Sequence, residues 1–567
     1  MPARLAHPVV GVNGNRVAAY SSRRPPHPPH PPHPMHPPRA DRRHLLRLAA
    51  AAAGTLWLPR SAWSQPRLTD NPFTLGVASG SPLPGSVVLW TRLVSTGLFG
   101  GSNLPDSAIT VRWEVAHDAA FTRIAQKGQA QALPELGHSV HVQAEGLDSG
   151  RGYFYRFMAG GDANQWISAT GHTSTLPAPD ARPANLRLAY ASCQRWEHGY
   201  FGAWRHVVAD APDAVVFLGD YIYEYPGALN AVRAGTGTWA LTLDDYRKRY
   251  ALYKGDADLQ AAHAACPWFV VWDDHEVQND YAGLSPGDSG PAVVDFAARR
   301  ATAYQAYYEH MPLRASVLTR GLTGLASGAE MRIYSEARFG QLAALYMLDA
   351  RQYRSPQACT RGGKPGSSNV DPATCAAWAD PARTMLGVEQ ERWLDDRLRA
   401  NAGTGGWNLL GQSTLFGPRD FKPGAGAVFW NDGWDGYAPA RRRLVDALQR
   451  HRVANPVLLG GDVHENWVGH VLADYADPSS PSVGVEFCGT GITSRSGGNA
   501  KVAELLAENP HFVYADAERK GYGIADITPQ HANVSLRVVS DVTARQTEVQ
   551  TLAKFTVQAG KPRVERV

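Results

Sequence analysis

The chain has 567 residues, with 56 Lys and Arg against 52 Asp and Glu, a formal net charge of +4. This length allows about three or four domains, or fewer if one α/β unit is large. A charge so small, with no basic stripe along the chain, excludes a dedicated nucleic-acid surface. The five cysteines are too few for a disulfide scaffold and odd in number, so at least one is unpaired within the chain.

Residues 21–38 are a low-complexity Pro/His tract that cannot bury a core. From Arg39 the chain shows a basic segment through Arg43, an apolar run over 45–58 interrupted by Arg47, and a small-residue site at Ala62-Trp63-Ser64. That pattern reads as an export signal, too short for a membrane span, within a signal region over 1–64. Met35 is an alternative start, and Arg42-Arg43 resembles a twin-arginine signal. The expected partner in export is the twin-arginine machinery, which carries folded proteins, and the expected location is periplasmic or extracellular.

Between residues 65 and 180 short alternating segments recur: Val111-Arg112-Trp113-Glu114-Val115, His138-Ser139-Val140-His141-Val142 and Tyr153-Phe154-Tyr155-Arg156-Phe157. With turn signals such as Ser149-Gly150-Arg151-Gly152 between them, they predict a β-sandwich resembling a fibronectin type III module. The segment 176–183 is Pro-rich and reads as a linker. From Leu186 the pattern changes to α/β, with apolar strands expected at 186–192, 214–218, 268–272, 342–348, 407–410, 457–459 and 483–487. Helices are expected at 201–209, 243–264, 294–309, 387–400 and 439–451. This second domain spans 181–567 and carries two packed sheets with outer helices.

What singles out this domain is how its strands end. The run Val215-Val216-Phe217-Leu218 reads as a strand buried on both faces, and Gly219 lets the chain turn into Asp220-Tyr221-Ile222-Tyr223. An aspartate and a tyrosine three residues apart at a strand end suggest a metal site. Other strands finish in Ser192-Cys193, Asp273-Asp274-His275-Glu276, Asp349-Ala350-Arg351 and Gly461-Asp462-Val463-His464. In α/β sheets, sites form outside the carboxyl ends of strands.

Together with Val277-Gln278-Asn279, Gln352-Tyr353-Arg354, Trp434-Asp435-Gly436-Tyr437 and Asn509-Pro510-His511, these motifs resemble the PhoD-type alkaline phosphatases. That family lies within the metallophosphoesterases, beside the purple acid phosphatases. The resemblance implies a four-layer α-β-β-α catalytic domain behind the β-sandwich, export, Fe(III) with Ca(II), and hydrolysis of a small phosphoester by a metal-activated water. It puts iron on Cys193, Asp220, Tyr223 and His464, and calcium on a bridging Asp220 with Asp274, Asp462 and Asn279. Arg351 is expected to present a planar fork to phosphate oxygens, and His275 to stabilise the transition state or protonate the leaving alkoxide. Where the wider superfamily has Asn before the histidine of the third motif and His at the start of the last, Asp274 and Asp462 stand here. That favours a hard cation over zinc.

Each assignment has an alternative: Cys193 as core filler, Arg351 as ion-pair partner of Asp349, His275 as a group orienting a ligand. Cys359 and Cys375 flank a Gly/Pro/Ser-rich loop and are expected to form a disulfide, and Cys266 and Cys488 to be buried thiols. Trp434 to Tyr437 and Asn509 to His511 are expected to line or cover the entrance. The competing functions are a phospholipase D-like phosphodiesterase on the same scaffold and a non-catalytic, calcium-binding secreted module.

Overall fold

The protein is described by a computed structural model covering residues 68–94, 104–161, 165–318 and 331–567. The expectations placed on residues 1–64 lie outside the described residues. Strand Ala214–Leu218 is buried at every position and runs parallel between Leu186–Ala191 and Trp268–Val271, with Val216 opposite Tyr190 and Phe269. An all-apolar run of this kind suits a strand covered on both faces. It is central to a ten-stranded sheet.

A second sheet of seven strands holds Ala343–Met347, Trp407–Gly411, Pro456–Gly460 and Ser482–Cys488 in mutually parallel order. Its residues alternate sides, as the period of two dictates. Leu345, Leu409, Val457 and Leu459 share one core with Val216 and Leu218 of the first sheet. Tyr346, Leu410 and Leu458 instead pack with Leu394 and Leu398 of helix Val388–Ala400 and with Leu444 and Leu448 of helix Ala438–Arg450. Gly411 marks how closely the sheets approach, since a Cβ there stands 3.3 Å from Leu218 Cδ2.

The predicted strands are all present within a residue or two. The expected helix over 243–264 is two helices, Leu243–Lys254 and Ala257–Ala265, because the Asp256 side chain accepts the amides of Asp258 and Leu259 and starts a new N-terminus. In the N-terminal region, five strands form a separate sheet, while Val77–Leu83, Ser86–Arg92 and Ser139–Glu145 extend the ten-stranded sheet. Gly80 pairs there with Trp268, and a Cβ on it would meet the Trp268 carbonyl at 2.7 Å. At the other edge the antiparallel strands Gly521–Ile527, His531–Val539 and Val549–Gln558 continue the sheet. None was among the expected strands, which were sought as continuous apolar runs: the last two alternate in burial, and Gly521–Ile527, though almost wholly buried, is interrupted by glycines and an aspartate. Among the described residues no helix is long and apolar enough to cross a membrane.

Candidate active site

The turns that follow the parallel strands are built from unusual backbone. Cys193, Asp220, Asp462 and His464 all adopt positive φ, from 57° to 67°, a region that non-glycine residues rarely enter and that gathers at functional sites. Gly219, at φ 99°, permits the close passage of the neighbouring turn, because a Cβ on it would lie 2.5 Å from Asp273 Cβ. The buried Glu276 carboxylate ties the two turns together. It accepts the amides of Tyr221 at 2.6 Å, Asp273 at 2.8 Å and Asp220 at 3.3 Å.

Donor atoms of Cys193, Asp220 and His464 converge within 4.8 Å of one another. The Tyr223 phenol joins them, donating to Asp220 Oδ2 at 2.8 Å and standing 3.0 Å from His464 Nε2. His464 Nδ1 donates to the Arg495 carbonyl at 2.8 Å, which leaves Nε2 with its lone pair turned toward Tyr223 and Asp220. Lys520 Nζ donates to the His464 carbonyl at 2.7 Å and to the Ala517 carbonyl at 2.8 Å, fixing the turn from behind. Burial first and Asp220 second push the Cys193 thiol and the Tyr223 phenol well above their ordinary pKa values. Only a cation can hold both in their anionic forms here.

Asp220 also belongs to a second group, with Asp274 and His275, and Asp274 to a third, with Asp280 and Asp432. His275 Nδ1 donates to Glu224 Oε2 at 2.7 Å, so its Nε2 is the nitrogen available to the carboxylates, and its ring lies 4.1 Å from that of Tyr223. Burial opposes charge on His275, yet Asp274, Glu224 and Asp220 together raise its pKa well above the ordinary value. For Asp274 burial works upward, but Arg351 and His275 prevail and hold it below the usual carboxylate range. Asp220 is pushed up by burial and by Asp274 and Asp273, against His275.

Arg351 reaches the same carboxylates. Its guanidinium is fully buried; Nε donates to Asp273 Oδ1 at 2.5 Å, NH1 lies 2.7 Å from Asp432 Oδ2 and NH2 3.7 Å from Asp274 Oδ2. It is ion-paired among the carboxylates through Nε, while NH1 and NH2 make no hydrogen bond among the described residues, and its backbone amide reaches Asp349. Asp462 accepts from Thr414 Oγ1 at 2.8 Å and stands outside the three compact groups, and Asn279 Oδ1 accepts from the Tyr225 phenol at 2.8 Å. Trp434 and Tyr437 are core residues, with Trp434 Nε1 donating to Gln412, and Asn509 bonds the Asp420 backbone. The disulfide Cys359–Cys375 forms as expected, and Cys266 and Cys488 are buried free thiols.

Asp280, Asp432, Glu224 and Glu276 were not assigned from sequence. Asp280 follows directly on Asn279 and Asp432 lies two residues before Trp434, inside or beside motifs already noted. Whether the whole constellation suits metal ions can be judged from its orphaned atoms: Asp220 Oδ1, Asp273 Oδ2 and Asp274 Oδ1 are buried with no hydrogen-bond partner among the described residues. Buried anionic oxygens in that state are stable only when paired or coordinating a metal. A mixed sulfur, phenol, imidazole and carboxylate set at one end and carboxylates alone at the other fit two kinds of cation.

Residues 188–536 match the PhoD-like phosphatase family, and residues 60–177 match its N-terminal domain. The chain is 42% identical over 510 residues to alkaline phosphatase D of Bacillus subtilis (strain 168), covering 88% of this chain and 83% of that protein. A solved structure of PhoD superposes with a TM-score of 0.81 at 42% identity, over 88% of this chain and 93% of that one. A dimetal phosphatase from Danio rerio is far more distant, with a TM-score of 0.32 and 13% identity over 65% of this chain and 98% of that one, and carries no argument. These similarities set aside the non-catalytic binding module. The chain belongs to the PhoD-like phosphatases and is a hydrolase acting on phosphoric ester bonds.

Proposed function

We propose that this protein is an exported phosphatase that hydrolyses phosphate esters directly by water, with iron and calcium in one buried centre. Iron is held by Cys193, Asp220, Tyr223 and His464, where anionic sulfur, phenolate and carboxylate donors suit a hard, highly charged ion. Calcium is held by oxygen donors from Asp220, Asp274, Asp462 and Asn279, and the Asp274, Asp280 and Asp432 group adds a further place for such an ion. The observation that carries the reading is the position of Asp220, a member of two ligand groups with one buried oxygen left unpartnered.

When bound, iron in such a site would lower the pKa of water from 15.7 toward about 7, and both ions would stabilise charge on phosphoryl oxygens. Asp220 spans the two groups and sets their separation. His275, its Nδ1 fixed by Glu224, presents Nε2 to the same space and is placed to stabilise the transition state or to give a proton to the leaving alkoxide. Arg351 holds Asp273 and Asp432 in register and keeps the carboxylate cluster from spreading. No side chain is asked to form a covalent phospho-enzyme.

Around this centre we read a four-layer α-β-β-α arrangement, supported by the two cores on either side of the seven-stranded sheet, and a fibronectin-like N-terminal sandwich. Export to the periplasm or beyond is supported by the Cys359–Cys375 bond, since disulfides persist in oxidising compartments, and the twin-arginine route rests on Arg42-Arg43 alone. The test is elemental analysis and turnover of Asp220→Ala, assayed on a nitrophenyl phosphate monoester and on its bis ester. Loss of both metals and of both activities is expected; normal iron content with full turnover would end this reading.

A further inference from the structure

Asp280 and Asp432 are both tied to one surface segment, the 16-residue separation closed by the disulfide between Cys359 and Cys375. Inside the loop, the Ser367 hydroxyl donates to Asp280 Oδ2. The next residue is locked to the stretch that carries Asp432: Ser368 N donates to Asn431 Oδ1 at 2.7 Å, and Asn431 N donates to the Ser368 carbonyl at 3.1 Å. The short strand pair Asn369–Val370 with Phe429–Trp430 continues this seam. Just ahead of the disulfide, Gln357 Nε2 donates to Asp432 Oδ1 at 2.8 Å and to the Asp280 carbonyl at 2.7 Å. Within that same frame Asp274 Oδ1 is buried and unpartnered.

The loop has little of its own to hold it in place. Its apolar anchor is Ala358, Val370 and Cys375 with the partly buried Trp378, and the rest is Gly-, Ser- and Pro-rich. Arg351 and Arg354 pair with Asp432, and Arg351 NH2 stands 3.7 Å from Asp274 Oδ2, whereas Asp280, which like charges on the other two carboxylates repel, has the Ser367 hydroxyl as a side-chain partner and so depends on the loop for its placement. A covalent tie restricts the excursions of such a loop more effectively than a few hydrogen bonds.

We propose that the Cys359–Cys375 staple and Ser367 act as positioning elements for a calcium-class cation at Asp274, Asp280 and Asp432. On this inference, which rests on the cation reading of that group given above, cutting the staple weakens calcium binding and leaves the cysteine and tyrosine end of the centre intact. The hydroxyl of Ser367 orients the one member of the trio that is not fully buried, and the staple keeps the hydroxyl there.

The experiment compares the full chain with S367A, C359S/C375S and D280N, titrating each calcium-stripped protein with calcium in a calorimeter and following the calcium-dependent rise in Tm. The visible absorption of the iron end serves as an internal reference. Losing an outer partner of a ligand costs about 10-fold in metal affinity, so about 10-fold weaker calcium binding is expected in S367A and in C359S/C375S, with the visible spectrum unchanged. If D280N binds calcium more weakly while the other two match the wild type, the positioning inference is overturned and the cation site stands. If D280N itself binds like the wild type, the cation reading falls and takes the inference with it. Should C359S/C375S not fold, S367A decides alone.

Discussion

The Tyr223 phenol donates to Asp220 Oδ2 at 2.8 Å from three residues further along the same turn, and it also stands 3.0 Å from His464 Nε2. A single phenol thus touches the carboxylate shared by two ligand groups and the imidazole that arrives from 241 residues away. Replacing Tyr223 by Phe keeps the ring and its tilted contact with the His275 ring but removes that oxygen. With iron in the site, the broad visible tyrosinate-to-iron band should vanish, and turnover should fall by more than the ~10–100-fold that loss of an outer partner costs. Absorption spectra and turnover of Y223F against the wild type check this.

Glu224 is joined to two residues of the site at once, receiving His275 Nδ1–H at 2.7 Å and the Asn279 amide at 2.8 Å. In E224Q the side-chain amide cannot accept both, so His275 loses its fixed orientation. Turnover should drop about 10–100-fold. The loss should be larger for an alkyl phosphate than for a nitrophenyl phosphate, because only the poor leaving group needs a proton from His275. Equal losses on both would show that Glu224 serves shape alone.

Gly219 lets two strand-end turns pass each other. Gly219→Ala places a Cβ 2.5 Å from Asp273 Cβ and asks alanine to adopt φ 99°. The backbone conformation alone costs about 1–3 kcal/mol, and relief of the clash moves Asp273 away from Arg351. Thermal unfolding should show a lower Tm together with weakened metal retention.

Glu486 lies away from the ligand groups, where its carboxylate accepts the amides of Phe416 at 2.5 Å and Gly417 at 2.8 Å. Burial raises its pKa to about 7, against those two amides. The folded chain therefore keeps this proton at pH values where the unfolded chain, with an ordinary glutamate near 4.3, has lost it. Its contribution to stability is complete below about pH 4 and declines as pH rises to about 7, by a total on the order of 3 kcal/mol. Unfolding midpoints measured across that window should fall less steeply with pH in E486Q than in the wild type.

The amino-acid sequence by itself determined the elements that are driven by one local pattern. Val215 to Leu218 is a fully apolar run, and it is the buried strand that delivers Asp220. The strand-end residues Cys193, Asp220, Tyr223, Asp274, His275 and His464 were legible because parallel strands place their carboxyl ends on one edge, and the structure brings their donor atoms together. The alternating strands His531–Val539 and Val549–Gln558 escaped because half-exposed antiparallel strands lack a continuous apolar run. Only the tertiary structure decided that Arg351 pairs with Asp273 and Asp432, 78 and 81 positions away, rather than with the neighbouring Asp349. Only it decided that Asp280 and Asp432 complete a third carboxylate group and that Glu224 reaches His275. An ion pair or a ligand trio is a matter of distance in space, and sequence spacing fixes distance only within one turn or one strand.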